Sequence, residues 1–445
     1  MGVRAGRVLR GHLLPLGVVV VVALATVAAV SAASPSGSRP RTGPVAGLQL
    51  LYRPPVLVRS GQSVGIPVDV ICATRRGAVC PATATISVGD RPSRTRVRAP
   101  ARPNLRFNLT RAARAAGSVS YRIDAAAGDR ARSIPGPGQG PALRFYVAPD
   151  IPSVSVPAIP FGEVRRGTVA LYLPWGSGPG QAGLAPGVEA DTQGPASYDV
   201  DRNGRVLFAD PVLGKLSLYA GAKLVRETRL PLAIDSDVAF GTGGDAFVAS
   251  SPSSGGRRSV VWAIDASGKP TAAAPVGYAD DTLSELRAAD DDPYVHLLPE
   301  DAWIPGTSSG PATTGRPVAG GEELLKVVDG HAVRLGTVVA GEVTNPVELT
   351  FGPNVGELAL AEPDGAGGYW AVVHLWTDSP AAADQYQVVH VGADLAVTTF
   401  AVSNESYAGS MPLSKFRLGQ DGALYALQSS ADGVRIVRYD IGGAR

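Results

Sequence analysis

The chain predicts an all-β protein: an N-terminal β-sandwich followed by a five- or six-bladed β-propeller, six blades being favoured. Three observations carry this. Fifty-four glycines and 37 prolines punctuate 445 residues, and few apolar runs keep the helical period, so many short strands and turns are expected. A strand–turn–strand phrase, Ala196–Asp210, returns in weaker form at Asp237–Ser250 and Lys415–Leu427, and such repetition is the mark of a radial β architecture. The length is too great for one sandwich, so two domains are expected.

The start has the layout of an export signal. Arg4, Arg7 and Arg10 precede an apolar run from Leu13 to Val30 and the small residues Ser31, Ala32 and Ala33. Residues 1–33 are read as a cleaved signal peptide or, since the run just reaches spanning length, as a membrane anchor through residues 13–30. Both readings put the bulk of the protein outside the cytoplasm, extracellular or at the cell surface. A disordered linker is expected over 34–46.

Six alternating segments, Leu48–Tyr52, Ser63–Val70, Thr83–Val88, Leu105–Leu109, Ser118–Ile123 and Leu143–Val147, suit the strands of a sandwich over 47–148. Its architecture resembles an immunoglobulin-like domain, although Cys72 and Cys80 are too close for an inter-sheet disulfide of the antibody kind. At that spacing in an exported chain the pair favours a local disulfide over a metal site, which would need further Cys or His nearby. The Arg-rich stretch Arg91–Arg114 has Phe107 as its one aromatic, lacks regular aromatic interleaving and reads as a solvated strand face, not a nucleic-acid surface. A hairpin tip is expected at Ile134–Pro141 and a semi-rigid, proline-spaced linker over 149–166.

The propeller is expected over 167–445. Inner strands are placed near Tyr198, Val238, Leu286, Leu358 and Phe416, with Val347–Phe351 as a further candidate. Third strands are placed at Lys215–Tyr219, Val260–Asp265, Leu324–Val328, Val388–Val391 and Val434–Asp440, and Gly306–Gly321 is read as a loop. Val169–Leu173 is expected to complete the last blade, because a ring must close to avoid free edges.

The phrase Gly194–Asp210 resembles the opening of blades in NHL-repeat and gluconolactonase-type propellers, and Pro174–Gly180 resembles a turn that precedes such propellers in some exported bacterial proteins. The resemblance implies the fold more than an activity, since enzymes and plain binders share it.

Aligning the inner strands puts Ser197, Asp237, Glu285, Glu357 (or Glu348 in the alternative register) and Lys415 just before the first apolar residue of each, bordering the channel. The metal-dependent lactonases of the resembling family ring one ion with acidic and amide residues. The resemblance therefore implies that Asp237, Glu285 and Glu357 or Glu348 hold Ca²⁺ or another divalent cation. The competing reading is a polar channel lined by Ser197 and Lys415, with the lysine neutralising part of the acid and no cofactor required. Asp199–Gly204 superficially copies a calcium loop but sits between strands, so Asp201–Gly204 reads as a hairpin turn. The Gly-x-Ser-x-Gly matches at Gly61–Gly65 and Gly306–Gly310 lack the strand–helix context of a nucleophile elbow. His331, His374 and His390 read as structural, and His296, near Asp290–Asp292, as the best placed for acid–base work.

These readings favour an exported or surface-tethered, non-catalytic protein that binds a protein, glycan or cell-wall component. The alternative is a metal-assisted hydrolase or lyase acting on a small lactone or sugar-like substrate in the channel.

Overall fold

A computed structural model describes residues 45–442 apart from 53–56, 60–62, 75–79, 89–90, 100–103, 109–117, 129, 135–142, 149, 187–191, 196, 252–258, 277–281, 299–301, 308–311, 380 and 406–413. Residues 1–33, read above as a signal peptide or membrane anchor, most of the expected hairpin tip and the side chain of Cys72 lie outside the described residues. Those described are strands and turns, with one short 3₁₀ turn at Ala319–Gly321.

Nine strands come first: β1 (Val45–Tyr52), β2 (Leu57–Arg59), β3 (Ser63–Thr74), β4 (Cys80–Val88), β5 (Arg91–Ala99), β6 (Asn104–Asn108), β7 (Ser118–Ala127), β8 (Arg130–Ile134) and β9 (Leu143–Ala148). They make two sheets, β1-β3-β6 and β2-β9-β7-β4-β5, with β8 added to β7. Alternation decides the inward face. Ala82, Ala84 and Ile86 of β4 and Tyr121, Ile123 and Ala125 of β7 are buried, whereas the residues between them are not. The arginine-rich stretch supplies β5, which among the described strands stands at the sheet edge beside β4; charge on such an edge discourages pairing with other chains.

The proline-spaced segment read as a semi-rigid linker is held against the second module. Strand β10 (Ser153–Ser155) pairs in parallel with Glu348–Thr350. Beyond it, the Gln387 and Gln385 amides donate to the carbonyls of Pro157 (2.8 Å) and Ile159 (3.2 Å). Leu57, Tyr146, Ala148 and Ile151 form one apolar cluster with Leu325 and Val338, joining sandwich to propeller.

After β11 (Thr168–Pro174) come the blades. Blade 1 is β12 (Ser197–Val200), β13 (Arg205–Asp210), β14 (Lys215–Ala220) and β15 (Lys223–Arg229). Blade 2 is β16 (Asp237–Phe240), β17 (Ala246–Ser250), β18 (Ser259–Ile264) and β19 (Pro270–Val276). Blade 3 has three strands, β20 (Thr282–Ala289), β21 (Asp292–Leu298) and β22 (Ala302–Pro305). Blade 4 is β23 (Arg316–Val318), β24 (Glu322–Asp329), β25 (Ala332–Val339) and β26 (Glu342–Thr350), extended by β10. Blade 5 is β27 (Asn354–Pro363), β28 (Tyr369–Thr377), β29 (Ala383–Val391) and β30 (Val397–Val402). Blade 6 is β31 (Phe416–Leu418), β32 (Leu424–Ser430) and β33 (Gly433–Tyr439), and β11 is its outer strand, antiparallel to β33. The start of the wheel is thus stitched to its end, and β31 returns beside β12.

Two sequence expectations need correction. Val347–Phe351 is not an inner strand but belongs mostly to β26, the outer strand of blade 4, whose inner strand is the three-residue β23 within the supposed loop Gly306–Gly321. Leu324–Val328 is the second strand of blade 4 rather than the third of blade 3.

The burial pattern follows from the geometry. Strands β13 and β17 are sandwiched between blades and buried almost throughout, whereas outer β15 alternates. Apolar clusters fill the seams between blades 6 and 1, 1 and 2, 2 and 3, 4 and 5, and 5 and 6. At the seam of blades 3 and 4, Glu285 meets Lys326 at 3.2 Å.

Candidate functional site at the channel mouth

Antiparallel strands alternate in direction, so turns between first and second, and third and fourth, strands share one face of the wheel. That face is built from tight Asp–Gly turns. Asp201 accepts the Asn203 and Arg205 amides at 2.9 and 2.8 Å while Gly204 takes φ +71°, the hairpin that the sequence suggested in place of a calcium loop. The turns are knitted around the ring. Asp291 accepts from Gly243 (2.6 Å) and Thr242 (2.9 Å), Asp290 from Gly320 (3.2 Å), and the Gln420 amide N–H donates to Val200. The longer connections, and the starts of the inner strands, lie at the other face.

The axis holds two charged clasps. In the first, Arg417 on β31 places Nη2 2.7 Å from Asp237 Oδ1 and 2.9 Å from the Val238 carbonyl. Its Nε donates to Tyr198 (3.1 Å) and its Nη1 to Leu286 (3.3 Å). One buried guanidinium therefore joins blades 6, 1, 2 and 3. Asp237 is wholly buried; it also accepts from the Ser197 hydroxyl, Ser414 (3.0 Å) and the Leu286 amide (2.6 Å). In the second, Arg287 meets Glu285 at 2.7 Å, and Arg316 of β23 meets Glu362 of β27 at 2.5 Å and the Ala361 carbonyl at 2.8 Å, tying blades 4 and 5. Burial pushes Glu285 up, but Arg287, Lys326 and Arg316 outweigh it and hold the carboxyl well below its usual range. Asp199 has no such cation in contact. Burial raises it from 3.8 to about 7, against the amides of Phe240 and Val200 that it accepts and the more distant Arg287.

The ring positions read from the sequence thus separate. Ser197 and Asp237 meet; Glu285 sits in the second clasp; Glu357 accepts the Tyr386 hydroxyl at 2.9 Å. Glu348 is not at the axis: it lies on outer β26, 2.6 Å from Arg334. Among the described residues no three His, Cys, Asp or Glu side chains are grouped to hold a metal ion. The cations that answer the carboxylates, Arg287 and Arg417, lie two residues beyond Glu285 and Lys415. Period-two alternation would have put them on the same face.

At the mouth between blades 5 and 6 lies a further polar group. Lys415 donates to the Asn404 carboxamide oxygen and sits 4.7 Å from the Tyr386 ring centroid; burial lowers its amine from 10.5 to about 8, against Glu357 and Asp384. Asp384 accepts from Asn404 Nδ2 (2.6 Å) and pairs with His374 Nε2 (3.0 Å) through the same Oδ2, and His374 packs on Tyr386 at 4.9 Å. Elsewhere, His390 bonds Asp364 and stacks on Trp370, a turn support, whereas His296 meets the Ser284 hydroxyl at 2.5 Å.

No protein-family model matches the chain, and no curated protein does. Solved structures give distant likenesses. Virginiamycin B lyase from Staphylococcus aureus has 9% identity and TM-score 0.36, with 56% of this chain and 96% of that one covered. A streptogramin B lyase has 11% identity and TM-score 0.36, covering 58% and 97%. A structure concerning host cell surface retention of a 1.5-MDa bacterial ice-binding adhesin has 11% identity and TM-score 0.18, covering 78% and 97%. Likenesses of this size say nothing about activity.

Proposed function

We propose that this chain is an exported or surface-tethered β-propeller protein that binds a protein, glycan or cell-wall component at its long-loop face, with the immunoglobulin-like sandwich as a spacer and no turnover of the ligand. The observation that carries the reading is that the axial carboxylates Asp237, Glu285 and Glu362 are engaged by Arg417, Arg287, Lys326 and Arg316. Such carboxylates hold blades together and are not presented to a substrate. The signal-like start supports export, and in an exported chain Cys72 and Cys80 are expected to be joined. Purified full-length protein is expected to co-sediment with isolated cell envelopes and to keep the same thermal midpoint in Ca²⁺ and in chelator. A ligand of the folded state must raise that midpoint. A Ca²⁺-dependent rise would therefore replace this reading with the metal-assisted hydrolase, and failure to bind envelopes would remove the binder.

A further inference from the structure

We infer that the cleft between blades 5 and 6 at the long-loop face is a subsite for a neutral, hydroxyl-rich glycan, with Trp376 as its stacking platform and Asp384 as its hydrogen-bond acceptor. This rests on the binding reading above and names its ligand class. Trp376 of β28 is directly opposite Asp384 of β29, and His374, two residues earlier, is opposite Tyr386. Directly opposed residues share a sheet face with Cβ atoms about 5 Å apart, so all four side chains line one side of blade 5. Tyr386 packs on Phe416 of blade 6, with ring centroids 4.8 Å apart. That side therefore faces the neighbouring blade.

Most of this surface is closed, but two members are not. Trp376 is 36% exposed and the Asp384 side chain 47% exposed. Asp384 is nevertheless fixed, because His374 and Asn404 both bond to Oδ2. Among the described residues Oδ1 has no such partner, so a held acceptor faces solvent beside an indole ring. Local backbone accommodates the arrangement. Gly356 lies at a register shift in β27, and a Cβ there would stand 2.6 Å from His374 Nδ1 and 3.3 Å from Trp376 Cδ1. The bulge and the missing side chain let both rings lie against the strand.

An exposed flat aromatic beside an oriented carboxylate matches the chemistry of a sugar ring. The apolar C–H face of the sugar packs on the indole, and its hydroxyls donate to the acceptor. An anionic sugar or nucleic acid would meet Asp384 as a like charge. Lys415 feels Asp384 but is itself buried, its amine turned to Asn404 and Tyr386, so it is not presented to such a ligand.

The test is full-length protein on an array of neutral oligosaccharides with gluco-, galacto-, manno- and N-acetylglucosamine-based chains. Retention on at least one is expected, with at least a tenfold loss of affinity in both Trp376→Ala and Asp384→Ala and an unchanged thermal midpoint in the latter. Trp376→Phe should recover part of the loss. The inference is overturned if no neutral chain is retained, if only acidic chains are, or if Asp384→Ala binds like the parent. Retention on isolated envelopes with an empty array would sink this subsite and leave the binding reading standing; binding to neither would remove both.

Discussion

Replacing Arg417 with methionine removes the guanidinium that joins four inner strands while keeping most of the side-chain volume. The bonds at stake are those to Asp237 Oδ1 and to the carbonyls of Tyr198, Val238 and Leu286. Asp237, fully buried, would keep its hydroxyl and amide donors but lose its counter-charge. Removing one partner of a buried pair typically costs about 3–5 kcal/mol. Each kcal/mol moves the midpoint of a domain of some 150–250 residues by about 2–4 °C, so a fall of roughly 6–15 °C is expected, taking the lower part of the range for a larger propeller. Circular dichroism melts at one fixed scan rate measure it, since large β proteins often unfold irreversibly. Asp237→Leu should show a comparable loss from the stranded arginine. The pair Arg417→Met with Asp237→Leu should lose less than the sum, with a coupling of up to about 3 kcal/mol. It should still fall short of the parent, because three carbonyls lose a donor. Arg417→Met melting within about 2 °C of the parent, or strict additivity in the double variant, would refute the clasp.

Three further outcomes are expected. Asp199 binds its proton more tightly in the native state than in the unfolded chain, so between 3.8 and about 7 the native state loses stability as pH rises, by up to about 4 kcal/mol, of which about 2 kcal/mol falls between pH 5.5 and 8; denaturant titrations at those two pH values should show that smaller loss in the parent and little of it in Asp199→Asn. Gly433→Ala would drive a Cβ into the Leu173 carbonyl across the closing strand pair and 2.9 Å from Pro174 Cα, so a loss of about 1–3 kcal/mol is expected, seen as an earlier thermal transition. Mass spectrometry of non-reduced peptides should find Cys72 joined to Cys80, and Cys80→Ser should cost about 2–3 kcal/mol by chemical denaturation.

The wheel was legible where strands were long enough to alternate and turns carried Asp and Gly. Closure by Val169–Leu173 followed from the need to remove edges. Blade 4 escaped because its inner strand, Arg316–Val318, has three residues including a proline. That is too short for a period, and the better alternation lies three strands further out, in Val347–Phe351. The ring of polar positions was also legible, but not its neutralisation. A one-column alignment records Glu285 and Lys415 and passes over Arg287 and Arg417, which share their face. The mouth of blades 5 and 6 was the least visible. Tyr369–Trp376 reads as continuous apolar core, and only coordinates separate buried Tyr369 from half-exposed Trp376.

The two faces of the wheel are unequal for one physical reason. Tight turns bring backbone donors and short carboxylates within reach of the next blade, so the Asp–Gly face can be sewn shut, as Asp291 and Gln420 do. Inner strands begin at the other face, where Asp237 reaches Ser197, Ser414 and the Leu286 amide and long arginine side chains span the wider gaps. Arg417, Arg287 and Arg316 serve there, and each carboxylate they meet helps to hold the ring together. Ligand chemistry at that face must then come from groups off the axis, on strands whose positions the clasps have already fixed. Asp384 and Trp376 meet that condition: they stand on the second and third strands of a blade whose inner strand is anchored through Glu362.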